Sequence, residues 1–121
     1  ELTQKDIREF QLAKSAIRAG IEALACEEDV SLNDIFKIYI AGGMGYYMDP
    51  AKAARIGMIP EEFIDKVQVC GNTALAGAVR CVIDPALLTK ASEYASQCKT
   101  LELNSSHVFS DSFIENMMLP E

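Results

Sequence analysis

Residues 38–50 have the sequence IYIAGGMGYYMDP, and the fold depends on how this stretch is interpreted. The β-branched residues Ile38 and Ile40 predict a short buried strand, which ends at the paired glycines Gly42 and Gly43. Glycines at that point leave the backbone bare, so another group can approach it closely. A flat or anionic ligand is one such group. A crossover turn that serves packing alone also requires glycine, and both interpretations stay open on this stretch alone.

The order of strand, glycine and helix occurs twice in the chain. Asp49 and Pro50 are typical of an N-cap and a first helical residue after the glycine turn. Residues 66–70 predict a second strand, which ends at Gly71 and is followed by Asn72 as a cap for the next helix. Parallel strands joined by right-handed crossovers bring their carboxyl ends to one edge, where ligands of α/β proteins bind. The sequence therefore predicts that both glycine-ended strands meet at such an edge.

Helices are predicted around the two strands. The first begins after Thr3, whose pairing with Asp6 predicts a capping box, and its apolar residues recur at three-or-four spacing toward Glu27. This apolar stripe is expected to cover a sheet or neighbouring helices. The stripe consists of Ile7, Phe10, Ala13, Ile17, Ile21 and Leu24. The later predicted elements are helices at 51–56, 74–83 and 86–98, a short strand at 100–103, and a last helix from Ser110.

Two cations lie close to the apolar stripe of the first helix. On a helical wheel, Lys14 falls inside the stripe and Arg18 lies at its edge. One interpretation is snorkelling, in which the aliphatic stem of the lysine packs while its ammonium reaches water. The other is a contact with an anion or a nucleotide. The sequence alone leaves both interpretations open.

Composition limits the classes of function. The 121 residues are 50% apolar with a net charge of −7, which fits one domain at 1–121 and disfavours nucleic acid as a partner. No apolar run approaches the roughly 20 residues that span a bilayer, and no secretory signal begins the chain, so we expect a cytoplasmic protein without membrane contact. Wide cysteine spacing and a single histidine, His107, predict neither a metal site nor a catalytic triad. The cysteines expected to be reduced, mostly packing thiols are Cys26, Cys70, Cys81 and Cys98.

Known phosphate-binding motifs do not fit the glycine turn. The chain has no GxxxxGK followed by Ser or Thr, which excludes a P-loop. The dinucleotide fingerprint matches at Gly43 and Gly45 but has Met48 in place of its third glycine, and the next helix begins too late, at Asp49. A wider loop of this kind suits a nucleoside better. We expect adenosine to lie against the bare backbone, with the first helix and its two cations forming the opposite wall.

Three segments together resemble a known family. They are LTQKDIREFQLAKSAIRAGI at 2–21, IYIAGGMGYYMDPAKAARIGMIP at 38–60 and CGNTALAGA at 70–78. The strand ending in IAGG and the later GNTALAGA resemble the adenosine and second connecting motifs of the actin-like ATPase superfamily. More narrowly, the segments are similar to the carboxyl-terminal domain of the reductive activators of corrinoid proteins, strongly so over residues 2–83.

The resemblance implies a fold for the chain. It predicts an α/β structure with a short parallel sheet flanked by helices, a ribonuclease-H-like or actin-like ATPase subdomain. This subdomain is partial and lacks the amino-terminal hairpin strands. Residues 1–121 are then a single α/β domain, the carboxyl-terminal part of one lobe of a longer protein.

The resemblance also implies a function for that longer protein. Activators of this family couple ATP hydrolysis to electron delivery from an amino-terminal [2Fe–2S] ferredoxin-like domain, and so return inactive cob(II)amide to cob(I)amide. The implied cofactors are ATP and Mg²⁺, and the implied partner is a corrinoid protein, with a homodimer left open. This chain would supply the adenosine-binding portion. The residues expected at the nucleotide are Gly42, Gly43, Gly45, Lys14, Arg18 and Asn72.

The chain departs from the family pattern in two respects. Met44 and Tyr46 stand where a GGFGNY turn would have Phe and Asn, and the ring of Tyr46 would compete with a bound base for space. No Asp-x-Gly turn is present to hold Mg²⁺ and phosphates, so we expect no catalysis by the fragment alone. The alternatives are an interaction or assembly module on an actin-like scaffold without nucleotide binding, or part of a small-molecule kinase of the same superfamily.

Overall fold

A computed structural model describes residues 1–43 and 45–120 of the chain. Within these described residues, five α-helices and two strands form an α/β fold, which confirms the predicted class. The elements are α1 Gln4–Glu27, β1 Ile38–Ala41, α2 Pro50–Arg55, β2 Val67–Gly71, α3 Thr73–Ile83, α4 Ala86–Gln97 and α5 His107–Glu115. Short 3-10 turns lie at Leu32–Asp34, Gly45–Tyr47, Glu61–Lys66 and Leu103–Ser105.

The two strands pair in parallel, as the repeated order of strand, glycine and helix predicts. Ile38 lies opposite Val67, and the register shifts by one residue after Ile40. Directly after β1, the amide of Gly42 donates a hydrogen bond of 2.7 Å to the carbonyl of Gly71, the last residue of β2. Both strands therefore end at the same edge, which their glycines share.

The hydrophobic core is small and lies between α2, the turn that follows it and the sheet. Its buried members are Ala53, Ala54, Ile59 and Phe63. Half-buried apolar residues pack around them: Ile21, Leu32, Ile35, Ile38, Met48, Met58 and Val67. Fully burying a large apolar side chain such as Ile59 or Phe63 contributes about 1.5 to 3 kcal/mol. The core thus fixes the helix that follows the glycine turn against the strand that precedes it.

Local signals place both ends of α2. The Asp49 side chain accepts a hydrogen bond from the amide of Lys52, and Pro50 is the first helical residue. At the other end Gly57 has φ +73, a left-handed conformation that glycine adopts without strain. Its amide donates to Ala54, and the next amide donates to Ala53, at 2.8 and 2.9 Å, which together form a Schellman motif.

Helix α1 begins as predicted but buries a different face. The capping box forms, because Asp6 accepts from the Thr3 amide at 2.9 Å while the Thr3 hydroxyl accepts from the Asp6 amide. The predicted apolar stripe, however, remains largely open to solvent, with Ile17 44% exposed. The buried residues of α1 are instead Lys14, Ser15, Ala19 and Ala23. The stripe prediction is therefore wrong for most of its residues: Ile21 packs against the core, but the buried face of α1 lies against α5, on another side of the helix.

The later part of the chain differs most from the predictions. Residues 100–103 form no strand, and the last helix begins at His107 rather than Ser110 because the Ser106 side chain caps it, accepting from the Phe109 amide. Helices α3 and α4 occur as predicted. Neither of them has a buried residue.

Some surface features also bear on the predictions. The four cysteines are free thiols. Cys26 and Cys98 are exposed, so the predicted packing role does not hold for these two. Across residues 1–43 and 45–120, no helix is long and apolar enough to cross a membrane.

Candidate functional site

The carboxyl ends of the two strands form the edge at which the predicted turn lies. Gly42 has φ +101 and Gly71 has φ +66, conformations in which a side chain would be strained. The hydrogen bond between them holds these two residues side by side. The structure therefore explains both glycines by backbone geometry, without a ligand.

Gly43 has no such explanation. It is absent from the positive-φ residues, and a Cβ atom built on it would meet nothing within 4 Å. Neither backbone strain nor packing in the described residues requires glycine here. Bare, exposed backbone at the carboxyl end of a parallel strand suits the close approach of a flat group such as a nucleoside.

Gly45 is the packed glycine of the turn. It is buried, and a Cβ atom there would overlap the γ2-methyl group of Ile40 in β1. The turn folds back onto its own strand at this residue, and only glycine fits without a shift. A nucleotide contact by Gly45 stays a prediction, since its packing already accounts for the residue.

An aromatic side chain covers the end of β2. The ring of Tyr46 lies 3.5 Å from the position a Cβ of Gly71 would take, and it meets the ring of Tyr47 edge to face with centroids 5.1 Å apart. Tyr46 is nevertheless 61% exposed. Its ring therefore lies at the edge where both strands end. The sequence predicts that a ring at this position competes with a bound base for space. Met44, the other departure from the family turn, lies outside the described residues.

Asn72 joins the same edge directly after β2. Its side-chain oxygen accepts a 3.0 Å hydrogen bond from the amide of Leu75 and so caps α3. The oxygen thereby satisfies one of the free amides at the amino end of the helix. The predicted cap is confirmed, while a contact of Asn72 with a nucleotide stays a prediction.

Lys14 lies in a different environment. It is 1% exposed, and its Nζ donates to the carbonyl oxygens of Asn116 and Met118 at 2.6 and 2.7 Å. Burial lowers the pKa of this ammonium below its ordinary value, and the charge of Arg18 lowers it further. The snorkelling interpretation is wrong, because the ammonium does not reach water.

Arg18 belongs to the same interface between α1 and α5. Its Nε pairs with the carboxylate of Glu22, which also accepts from the hydroxyl of Ser112. The hydroxyl of Ser15 donates to the carbonyl of Phe113. The six predicted residues therefore divide: four lie at the strand ends, Lys14 bonds from α1 to the end of α5 and the residues after it, and Arg18 pairs with Glu22 on its own helix. A nucleotide contact by either cation stays a prediction.

Sequence reasoning missed this polar interface. Its signal is the recurrence of polar residues at helical spacing, Lys14, Arg18 and Glu22 on α1 and Ser112 and Asn116 on α5. Such residues are more often a solvated face, so the pattern alone does not indicate packing.

A shallow depression begins where the glycine turn ends. It has a volume of about 390 Å³ and is lined by Tyr47, Met48, Asp49, Lys52, Ala53, Ile56 and Met58. Asp49 and Lys52 form an exposed ion pair of 3.3 Å at its rim. The hydrogen bond from the Lys52 amide, and to a lesser extent the Lys52 side chain, hold the pKa of Asp49 below its ordinary value. The depression offers an apolar surface next to the bare backbone of the turn.

Within 1–43 and 45–120, no three His, Cys, Asp or Glu side chains converge as metal ligands. Bare glycine backbone and an apolar depression fit a nucleoside, whereas the group of carboxylates that would hold Mg²⁺ is not found in this part of the molecule.

Two parallel strands, which end at Ala41 and Gly71 and are each followed by a helix, define the chain as an α/β fragment. A solved structure titled reductive activator for corrinoid, iron-sulfur protein superimposes on it with a TM-score of 0.89 and 32% identity, covering 98% of this chain and 19% of the other. Residues 1–121 match the family model described as the C-terminal domain of RACo, the ASKHA domain. The chain belongs to this family.

Curated relatives have corresponding names. The [Co(II) methylated amine-specific corrinoid protein] reductase of Methanosarcina barkeri is 34% identical over 97 residues, 80% of this chain and 18% of the relative. The corrinoid activation enzyme RamQ of Eubacterium limosum is 32% identical over 121 residues, 98% of this chain and 19% of the relative. The chain thus spans about a fifth of the length of the curated relatives it matches.

Proposed function

We propose that this chain is the adenosine-binding portion of an ATP-dependent reductive activator of a corrinoid protein. In this proposal the longer protein uses ATP and Mg²⁺ to drive electrons from a [2Fe–2S] domain onto the corrinoid cobalt. The names of the relatives support the general role. We further propose that the longer protein binds the nucleotide, carries the [2Fe–2S] cluster and is located in the cytoplasm.

Gly43 carries the adenosine part of the proposal. Its Cβ position is open and its backbone is not in the left-handed region, so the chain itself has no need of glycine there. A ligand that must touch the backbone supplies the missing reason. Adenosine is flat enough to lie on residues 42–43, with the apolar depression after the turn beside it.

The phosphates and the metal ion belong elsewhere in this proposal. Phosphoryl transfer needs a metal-held phosphate and a positioned nucleophile, and no group of metal ligands is found among the described residues. We therefore propose that other segments of a longer protein hold them. Alone, the chain binds the nucleoside end and does not hydrolyse ATP.

Titration of the chain followed by amide NMR tests the proposal. Adenosine and ATP, each with and without Mg²⁺, are expected to shift the amide signals of residues 42–43 and 71–72 by similar amounts, because the nucleoside makes the contacts. Gly43→Ala is expected to weaken binding about tenfold or more, since a methyl group would lie where the base or ribose approaches. Gly77→Ala is the matched control, because its Cβ position is equally open but lies on α3.

Three results would contradict the proposal. If no amide signal shifts at millimolar adenosine, the isolated chain does not bind the nucleoside. Equal affinities for Gly43→Ala and Gly77→Ala would mean that the ligand binds away from the turn. Shifts confined to residues near Lys14 would support a different anion site.

A second function, an interaction module on an actin-like scaffold, has an observation of its own. Large apolar residues of α3 and α4 lie open to solvent: Leu75, Val79, Val82, Ile83, Leu88 and Tyr94. Tyr46 at the shared edge also favours this function if its ring keeps the base out. The same titration separates the two functions, because a pure interaction module leaves all signals unshifted by nucleotide.

A further inference from the structure

Lys14 brings three separate segments of the chain together at one buried point. Its Nζ lies 2.6 Å from the carbonyl oxygen of Asn116 and 2.7 Å from that of Met118. The same nitrogen lies 3.4 Å from the position that a Cβ of Gly57 would occupy, at the end of α2. The ammonium therefore hydrogen-bonds the end of α5 and the residues that follow it, and it lies beside the end of α2.

The acceptors explain why a cation is stable here. Asn116 is the C-cap of α5, and the last carbonyls of a helix have no partners within the helix. The Asn116 carbonyl lies at the negative end of the helix dipole, where a cation stabilises the structure, whereas Met118 lies beyond the helix. Among the described residues no carboxylate pairs with Lys14, so these carbonyls are its compensating groups.

The rest of the interface between α1 and α5 depends on polar groups as well. Ser15 and Ser112 are both buried and hydrogen-bonded across it, to Phe113 and Glu22 respectively. The side-chain nitrogen of Asn116 donates back to Ser112 at 2.8 Å. Removing one partner from such a network leaves buried groups unsatisfied, which costs more than the bond itself contributes.

We propose that Lys14 is a latch that holds the carboxyl-terminal helix in place. Its ammonium fixes the end of α5 and residues 116–118 against α1 and the end of α2, so α5 undocks as a unit when the ammonium is removed. Lys14 is then a positioning residue and not a nucleotide ligand. The latch is independent of the proposed function, which rests on Gly43.

Hydrogen exchange of the complete chain tests the latch with a matched pair of substitutions. Lys14→Met keeps the length of the side chain but removes the ammonium, whereas Lys5→Met makes the same change at an exposed position of the same helix. Relative to Lys5→Met, Lys14→Met is expected to reduce the protection of amides 109–117 roughly tenfold or more. Protection in β1 and β2 is expected to be unchanged.

Either of two exchange results overturns the latch. Equal protection of α5 in the two variants would show that the ammonium does not hold it. An equal loss across α5, β1 and β2 would show general destabilisation rather than local undocking. A nucleotide titration adds a third: weaker binding by Lys14→Met with α5 still protected would make Lys14 a ligand residue instead.

A measurement on the unsubstituted chain covers the case in which Lys14→Met does not fold. A latched ammonium exchanges its hydrogens slowly and shows nuclear Overhauser contacts to residues 116–118. A rapidly exchanging Lys14 ammonium without these contacts overturns the proposal, whatever the outcome for the variants.

Discussion

The three glycines of one turn differ in whether the structure requires glycine. Gly42 adopts a positive φ, Gly45 packs against Ile40, and Gly43 has neither constraint. The presence of glycine at a position in the turn therefore does not by itself indicate a contact with a ligand. The residue with no structural reason is the one that carries the functional proposal.

Gly45→Ala is expected to destabilise the chain by about 1 to 3 kcal/mol, because the added methyl group overlaps the branched side chain of Ile40. Gly43→Ala is expected to change the free energy of unfolding by no more than about 0.5 kcal/mol, since its Cβ position is open. Urea unfolding followed by circular dichroism measures both. Equal effects of the two substitutions would contradict the assignment of Gly45 as the packed glycine.

At the scale of elements, helix ends are set by short-range contacts. Asp49 caps α2 directly after the turn, and its carboxylate is stabilised mainly by the amide of Lys52, which lowers its pKa from 3.8. A carboxyl whose pKa is lower in the folded state contributes stability above its unfolded pKa. That contribution is lost as the pH falls below 3.8 and through the lower folded-state pKa.

Asp49→Asn keeps a capping oxygen but removes the titration. We expect the difference in free energy of unfolding between the native chain and Asp49→Asn to favour the native chain at neutral pH. This difference is expected to diminish as the pH falls from about 5 toward 2. Urea unfolding at a series of pH values measures it. A difference that does not change with pH would mean that the carboxylate charge plays no part in the cap.

The sequence predicts features that depend on local contacts, and it fails for features that depend on contacts between distant residues. The capping box at Thr3, the cap at Asp49 and the strand ending at Gly71 are encoded within a few residues, and each is confirmed. The packed face of α1 depends on which element lies beside it, and the periodicity of its apolar residues does not contain that information. For the same reason the environment of Lys14 could not be predicted, because its partners lie at the other end of the chain.

At the scale of the whole molecule, the chain exposes more surface than its mass requires. Its accessible area is 9349 Å², whereas a compact monomer of 13.3 kDa exposes about 6,500 Å². The excess, roughly 2,900 Å² by the same relation, is larger than the roughly 800 Å² that each partner buries in a standard interface. Helices α3 and α4, which have no buried residue, contribute to this exposed surface.

Two isoleucines, one in the buried core and one on the exposed helix α3, test the contrast between these two parts of the molecule. Ile59→Ala removes a side chain that is 5% exposed and is expected to cost about 2 to 4 kcal/mol. Ile83→Ala removes one that is 78% exposed and is expected to cost less than about 1 kcal/mol. Thermal unfolding of the isolated chain measures both. A large cost at Ile83 would mean that α3 is covered in solution, for example by a second copy.

The contact between α1 and α5 also has a consequence for the order of folding. Lys14 and Asn116 are 102 positions apart in the chain, whereas the strands are joined through Gly42 and Gly71, a much shorter loop. Closing the longer loop costs about 1 kcal/mol more in chain entropy, and contacts between distant residues form slowly. We therefore expect the contact between α1 and α5 to form after the two strands have paired.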